Sequence, residues 1–192
     1  MSREKQPADG KVPGWQAEIY QELRLLAVVL AVVILLFHFF AQLIVVVGDS
    51  MYPTLHNGDL MIAWRFQYTP EAGDIVVVHK ETPTIQQTIV KRVIATGGQT
   101  VELDYEENAV YVDGVRLEED YINLEETDPM LPVGDVTSID VPEDCLFVMG
   151  DNRNHSTDSR FTYDLGLVEE GYVVGEAVCV FFPFQHLQWL DS

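Results

Sequence analysis

The chain changes its hydrophobic period once. From Leu25 to Phe37 ("LLAVVLAVVILLF") no polar residue interrupts the sequence, and the apolar run resumes after His38 as "FFA" and after Gln42 as "LIVVV". A bilayer core takes about 20 mostly apolar helical residues. Leu23 to Gln42 meets that length, with Arg24 placed to snorkel at its edge and Trp15 and Tyr20 ahead of it at interfacial positions. A cleavable leader would have a shorter apolar core followed by small residues. Here Phe37, His38, Phe39 and Phe40 follow instead, so the pattern reads as an uncleaved anchor.

Past the anchor, short β-branched runs take over: 43–47, 60–64, 74–79, 88–94, 109–114, 145–150 and 173–182. Gly, Pro, Asn and Asp clusters separate them, and Gly-Asp recurs at 48–49, 58–59, 73–74, 134–135 and 150–151, where turns belong. No long helical period follows residue 48. The expected organisation is a cytoplasmic tail at 1–22, a transmembrane anchor at 23–42 and a mainly β domain at 43–192.

Charge sharpens this picture. The formal net charge is -20, from 11 Lys+Arg against 31 Asp+Glu, and the first 24 residues are balanced, so the β domain carries the whole excess. A nucleic-acid partner would need a basic footprint, which is missing. Basic residues flank the apolar run only on its N-terminal side, the next being Arg65. The positive-inside rule then places the N-terminus in the cytoplasm and the β domain outside, with the lipid bilayer as a partner. Cys145 and Cys179 form no CxxC pattern, so no zinc site is expected from them. Two buried free thiols and a cross-strand disulfide both fit their apolar runs. The acidic stretch 117–128 lacks calcium-loop spacing and reads as a surface loop.

Three segments carry candidate chemistry. In "VVVGDSMYPTLHNGDL" (45–60) a lone hydroxyl, Ser50, sits in a Gly/Pro-bracketed turn; it is a nucleophile given a base and a turn-stabilising serine without one. His56 and His155 lie in polar segments, but no base motif surrounds them. Lys91 lies inside "TIVKRVIA", where strand alternation puts it on one face with Ile89 and Val93. A buried ammonium is costly, and desolvation lowers a lysine pKa from about 10.4 toward the range of about 7–8 that suits a base. An edge-strand lysine reaching for water is the other reading. "GDNRNHSTDSR" (150–160) packs polar side chains directly after an apolar strand, which suits either catalytic support or an ordinary solvated turn.

In this order behind an N-terminal anchor, the segments resemble the bacterial type I signal peptidases of the Gram-positive-like subgroup. "GDSMYPTLHNGD" looks like the family's nucleophile box, "GDIVVV" (73–78) like the next block, "VKRVIATGG" like the lysine box and "GDNRNHSTDSR" like the last box; "AVYVDGVRLEEDYI" is similar to a further segment. The resemblance implies a membrane-bound serine endopeptidase that cuts signal peptides from exported preproteins after small residues of the Ala-x-Ala type. It makes Ser50 the nucleophile and Lys91 the general base. Ser156 falls where a serine hydrogen-bonds the lysine, and Asp151, Asp158 and Arg160 fall on supporting positions. Gly48 stands where other members carry an oxyanion-hole hydroxyl, so donors must come from backbone N–H groups such as that of Ser50. The substrate is expected along Val45–Val47 and Gln87–Val90, with Val46, Met51 and Val90 lining shallow pockets. Neither metal nor organic cofactor is implied. A membrane-tethered Ser-Lys self-processing protein and a non-catalytic binding domain are the alternatives the residues leave open.

Overall fold

The computed structural model describes residues 14–122, 129–134 and 136–190. The chain divides into two units, Met1–Phe39 and Phe40–Ser192. The first is dominated by helix α1 (Gly14–Phe40), free of Pro and Gly beyond its first residue. Among the described residues one stretch is long and apolar enough to cross a membrane, the 23 residues Glu18–Phe40. At about 1.5 Å per residue it extends about 35 Å, against about 30 Å of bilayer hydrocarbon. Its Leu, Val, Ile and Phe side chains are exposed along the whole length, which fits a membrane anchor.

The anchor is expected to end at Gln42, but the helix ends at Phe40. Ala41 and Gln42 open strand β1 (Ala41–Val45), paired with Trp64 and Ala63 of β2 (Leu60–Trp64). Backbone pairing to a neighbouring strand outweighs the continued apolar run, and the Phe40 ring settles against Trp64 and Phe66. The remaining strands are β3 (Ile75–Val78), β4 (Ile89–Ala95), β5 (Thr100–Asp104), β6 (Ala109–Val112), β7 (Val115–Arg116), β8 (Ser138–Asp140), β9 (Cys145–Met149), β10 (Val168–Glu169), β11 (Val173–Phe182) and β12 (Gln188–Trp189). The larger sheet runs β1-β2-β11-β3-β4-β9-β10, with β12 on β11, and the smaller runs β7-β6-β5-β8; every pairing is antiparallel. The domain is therefore mainly β, as its turn-punctuated runs predict, and antiparallel.

Strand β3 is buried on both faces, which is why it reads as an unbroken apolar run. Ile75 and Val77 join Val46, Met51, Leu55, Met61 and Val90 in one core cluster, while Val76 and Val78 join Val93, Leu146 and Leu165 in another. A third cluster sandwiches Val101, Leu103 and Val110 of the smaller sheet against Ile94, Phe147 and Met149. Although three strands separate β1 from β4 in the sheet order, both line the same cleft, so the larger sheet curls.

Two further expectations change. The acidic stretch 117–128 is not simply a solvated loop: the Glu119 carboxylate is buried against Arg153, which donates to it from both terminal nitrogens. Residues 123–128 of the stretch lie outside the described residues. Cys145 and Cys179 are free, as β3 and β4 stand between their strands.

Candidate active site

Ser50 sits in the loop joining β1 to β2. The loop is closed at its neck by Val46 N–H to the Asp59 carbonyl (2.8 Å) and Gly58 N–H to the Val46 carbonyl (2.9 Å). Within it the chain makes a helical turn, Leu55 N–H to the Met51 carbonyl at 2.9 Å. Met51 and Leu55 are buried beneath it, and side chains of that size stabilise by about 1.5–3 kcal/mol each when fully removed from water. Gly48 has φ +87, a left-handed conformation that favours glycine, and its N–H donates to Asn57 Oδ1 at 2.9 Å. The Gly48 amide is thus engaged, whereas the Ser50 amide has no acceptor among the described residues.

Lys91 reaches the serine from the middle of β4. Its Nζ lies 2.7 Å from Ser50 Oγ, across 41 residues of sequence, and donates to the Val90 carbonyl at 3.0 Å. The side chain is 3% exposed. Burial disfavours the ammonium and lowers the pKa to about 8; Asp158 and Asp151 oppose the fall, and Arg160 adds to it.

The 150–160 segment grips both partners from behind. Asn152 donates its N–H to the Ser50 carbonyl and its side-chain amide to the Asp49 carbonyl, each at 3.0 Å. At Gly150 an added Cβ would lie 2.4 Å from the Ser50 carbonyl oxygen and 2.3 Å from Ser156 Oγ, so only glycine permits this approach. Asp151 forms a buried bidentate pair with Arg92 (2.9 and 2.8 Å) and accepts from the Thr54 hydroxyl. Arg92 immediately follows Lys91, so this pair fixes the lysine's strand to both the 150–160 segment and the Ser50 loop. Its guanidinium also covers the Tyr121 ring, 3.9 Å from the centroid. Asp158 binds Arg160 through two contacts (2.8 and 2.9 Å) and accepts the Gly150 N–H at 3.0 Å.

Of the expected residues, Ser50, Lys91, Gly48, Val46, Met51 and Val90 all line one cleft of ≈ 570 Å³. Asp151, Ser156, Asp158 and Arg160 lie buried behind it. Ser156 is expected on the lysine, yet its buried hydroxyl has no hydrogen-bond partner among the described residues; the Lys91 amine donates to the Val90 carbonyl instead. Arg92, Gly150, Asn152 and Thr54 were not singled out. Arg92 had a readable signal, a second buried cation beside Lys91 in an apolar strand that needs a carboxylate.

The cleft separates two strips of main chain. On one side lies the outer edge of β1 and the start of the loop, residues 45–51; β1 pairs with β2 alone among the described residues. On the other lie residues 84–91, ahead of the part of β4 that pairs with β9. His155 and Thr157 close one end.

The family model described as signal peptidase, peptidase S26, matches residues 19–182. A signal peptidase I of Bacillus amyloliquefaciens is 35% identical over 98% of this chain and 98% of its own. Signal peptidase I T of Bacillus subtilis is 39% identical over 84% of this chain and 86% of its own. A probable signal peptidase I-1 of Synechocystis sp. is 39% identical over 93% and 89%. A crystal structure of a signal peptidase I from Enterococcus faecalis aligns with a TM-score of 0.47 at 32% identity, over 57% of this chain and 97% of that one.

Proposed function

The chain belongs to the signal peptidase family, peptidase S26, and from that membership we propose that it cleaves signal peptides from exported preproteins with Ser50 as nucleophile and Lys91 as general base. The observation that carries the residue assignment is the 2.7 Å contact between Ser50 Oγ and a lysine whose pKa is lowered to about 8 by burial.

The neutral amine accepts the proton of Ser50 as its oxygen attacks the scissile carbonyl. The Ser50 N–H, which has no internal acceptor, donates to the developing oxyanion. The protonated Lys91 passes its proton to the leaving amine, and water activated by the same amine then hydrolyses the acyl-enzyme, following the logic of a Ser-His-Asp triad with two residues. Asp151, Asp158 and Arg160 act as positioning residues. Their bonds to Arg92, to the Gly150 amide and to each other hold the two reacting side chains together.

The substrate lies extended in the cleft, making main-chain hydrogen bonds to the free edge of β1 and to residues 87–90. Alanine-like side chains at the first and third residues before the cut sit in shallow pockets near Val46, Met51 and Val90, which line the cleft. Residues 1–22 lie in the cytoplasm and the β domain on the outer face, as the basic N-terminal flank favours.

The test uses the full chain in detergent with a preprotein bearing an Ala-x-Ala site. Wild type is expected to cut after the second alanine, and Ser50→Ala and Lys91→Ala to lose that activity. Full cleavage by either variant would remove the corresponding role.

A further inference from the structure

His56, Asp59 and His186 each bring one donor atom into a group that lies within 4.8 Å. We propose that these side chains bind one divalent transition-metal ion of the zinc type, and that the ion ties the C-terminal segment to the loop carrying Ser50. The proposal does not depend on the roles of Ser50 and Lys91.

Asp59 closes the loop and is 1% exposed. Its Oδ2 accepts the His56 N–H at 2.8 Å, and its own N–H donates to the His56 carbonyl at 3.0 Å, a short turn that sets the His56 ring beside the carboxylate. His186 arrives from the 3-10 turn Phe184–His186 that follows β11, with Nδ1 2.6 Å from Asp59 Oδ1. The two imidazoles stack with centroids 4.4 Å apart and planes 30° from parallel.

A hydrogen bond from His186 to Asp59 would explain half of this arrangement. It leaves His56 Nδ1 without purpose: that atom is buried, has no hydrogen-bond partner and lies 3.9 Å from Asp59 Oδ2. Protonating both stacked rings would set two cations face to face. One dication meets all three demands, accepting a lone pair from each Nδ1 and neutralising the carboxylate. Two imidazoles and one carboxylate suit Zn²⁺, Co²⁺, Ni²⁺ or Cu²⁺ and not Ca²⁺ or Mg²⁺, which take oxygen ligands. Tetrahedral Zn²⁺ with bonds of about 2.0–2.2 Å sets its donors about 3.3 Å apart. His186 Nδ1 lies 2.6 Å from Oδ1 and His56 Nδ1 3.9 Å from Oδ2, so each imidazole already stands beside one oxygen of the same carboxylate, and one donor atom from each residue falls within 4.8 Å of the others. The ring side chains are 40% and 34% exposed, which gives an ion a route in and leaves a fourth position for water.

The site lies across a seam already held by weaker ties. Gln188 donates its side-chain amide to the Thr54 carbonyl at 2.7 Å, and β12 pairs with β11. A metal bridge between residues 56–59 and 186 would lock the same seam.

The test uses the full chain in detergent, purified without a polyhistidine tag and stripped with chelator, titrated calorimetrically with ZnCl₂ at pH 7.5. Wild type and a His79→Ala control are expected to bind one ion per chain. His56→Ala and His186→Ala are each expected to weaken binding at least ~10-fold, a loss of the size that disturbing a metal site brings. Zn²⁺ should raise the thermal midpoint of wild type and not that of His56→Ala. If His186→Ala does not fold, His186→Gln takes its place. No uptake by wild type, or equal uptake by the His56 and His186 variants, would overturn the proposal; the ion would then sit elsewhere on the acidic surface.

Discussion

Replacing Lys91 by methionine should make this protein more stable while abolishing its activity. The buried amine has its pKa lowered from an ordinary 10.5 to about 8. At about 1.4 kcal/mol for each tenfold difference, carrying that group charged at neutral pH costs the folded state about 3 kcal/mol. Methionine fills a similar volume without a charge but loses the hydrogen bonds to Ser50 Oγ and the Val90 carbonyl, which together take back about 2 kcal/mol. The net expectation at pH 7 is a gain of about 1 kcal/mol. The pH dependence follows from proton binding. Between about 8 and 10.5 the unfolded chain holds a proton at this site that the folded chain has released, so wild-type stability rises with pH there. The advantage of Lys91→Met should therefore be constant below about pH 8 and shrink steadily toward pH 10.5. Denaturant unfolding of the full chain in detergent, run on both proteins from pH 7 to 10.5, measures the difference, in which other titrating groups cancel. A variant less stable than wild type at pH 7, or an advantage unchanged at pH 10.5, would refute the desolvation argument.

On the proposed mechanism the same lysine sets the pH profile of the reaction. Since only the neutral amine serves, kcat/KM on an Ala-x-Ala peptide should fall as pH drops through about 8, with about a 50-fold rise between pH 6 and pH 8 if one proton is involved. Gly150→Ala drives a Cβ against the Ser50 carbonyl and Ser156 Oγ; steady-state assays should show kcat/KM reduced by about 100-fold or more while circular dichroism stays unchanged. Asp151→Asn strands the buried Arg92 charge and should cost about 3–5 kcal/mol in urea unfolding, with most of it recovered by pairing Arg92→Met with Asp151→Leu.

The sequence revealed the strands unevenly, and for identifiable reasons. The runs at 60–64 and 173–182 match β2 and β11 end to end: Asn57-Gly58-Asp59 marks the start of the first and Pro183 the end of the second. Strand β5 escaped notice: only Val101 and Leu103 are apolar within it, and two alternating positions are too few to stand out. At the site, local composition marked Ser50, Lys91 and the 150–160 segment. Their meeting depends on strand pairing across the sheet, which no local pattern encodes. Arg92 points to the opposite face from Lys91, and the carboxylate it needs, Asp151, lies 59 residues away in the sequence. Glu119 was hidden in a run of solvated carboxylates that only tertiary packing tells apart.

The unpaired outer edge of β1 has a consequence for which substrate positions are read. A strand advances about 3.3 Å per residue and turns successive side chains to opposite faces. A chain laid along that edge therefore meets the cleft floor of Val46, Met51 and Val90 at every second residue only, at intervals of about 6.6 Å. The residue between two such positions faces away from the floor whatever its size. In the proposed binding mode, tolerance at the middle of an Ala-x-Ala site is a property of backbone pleat, and altering Val46, Met51 or Val90 should change the outer two preferences without creating one at the centre.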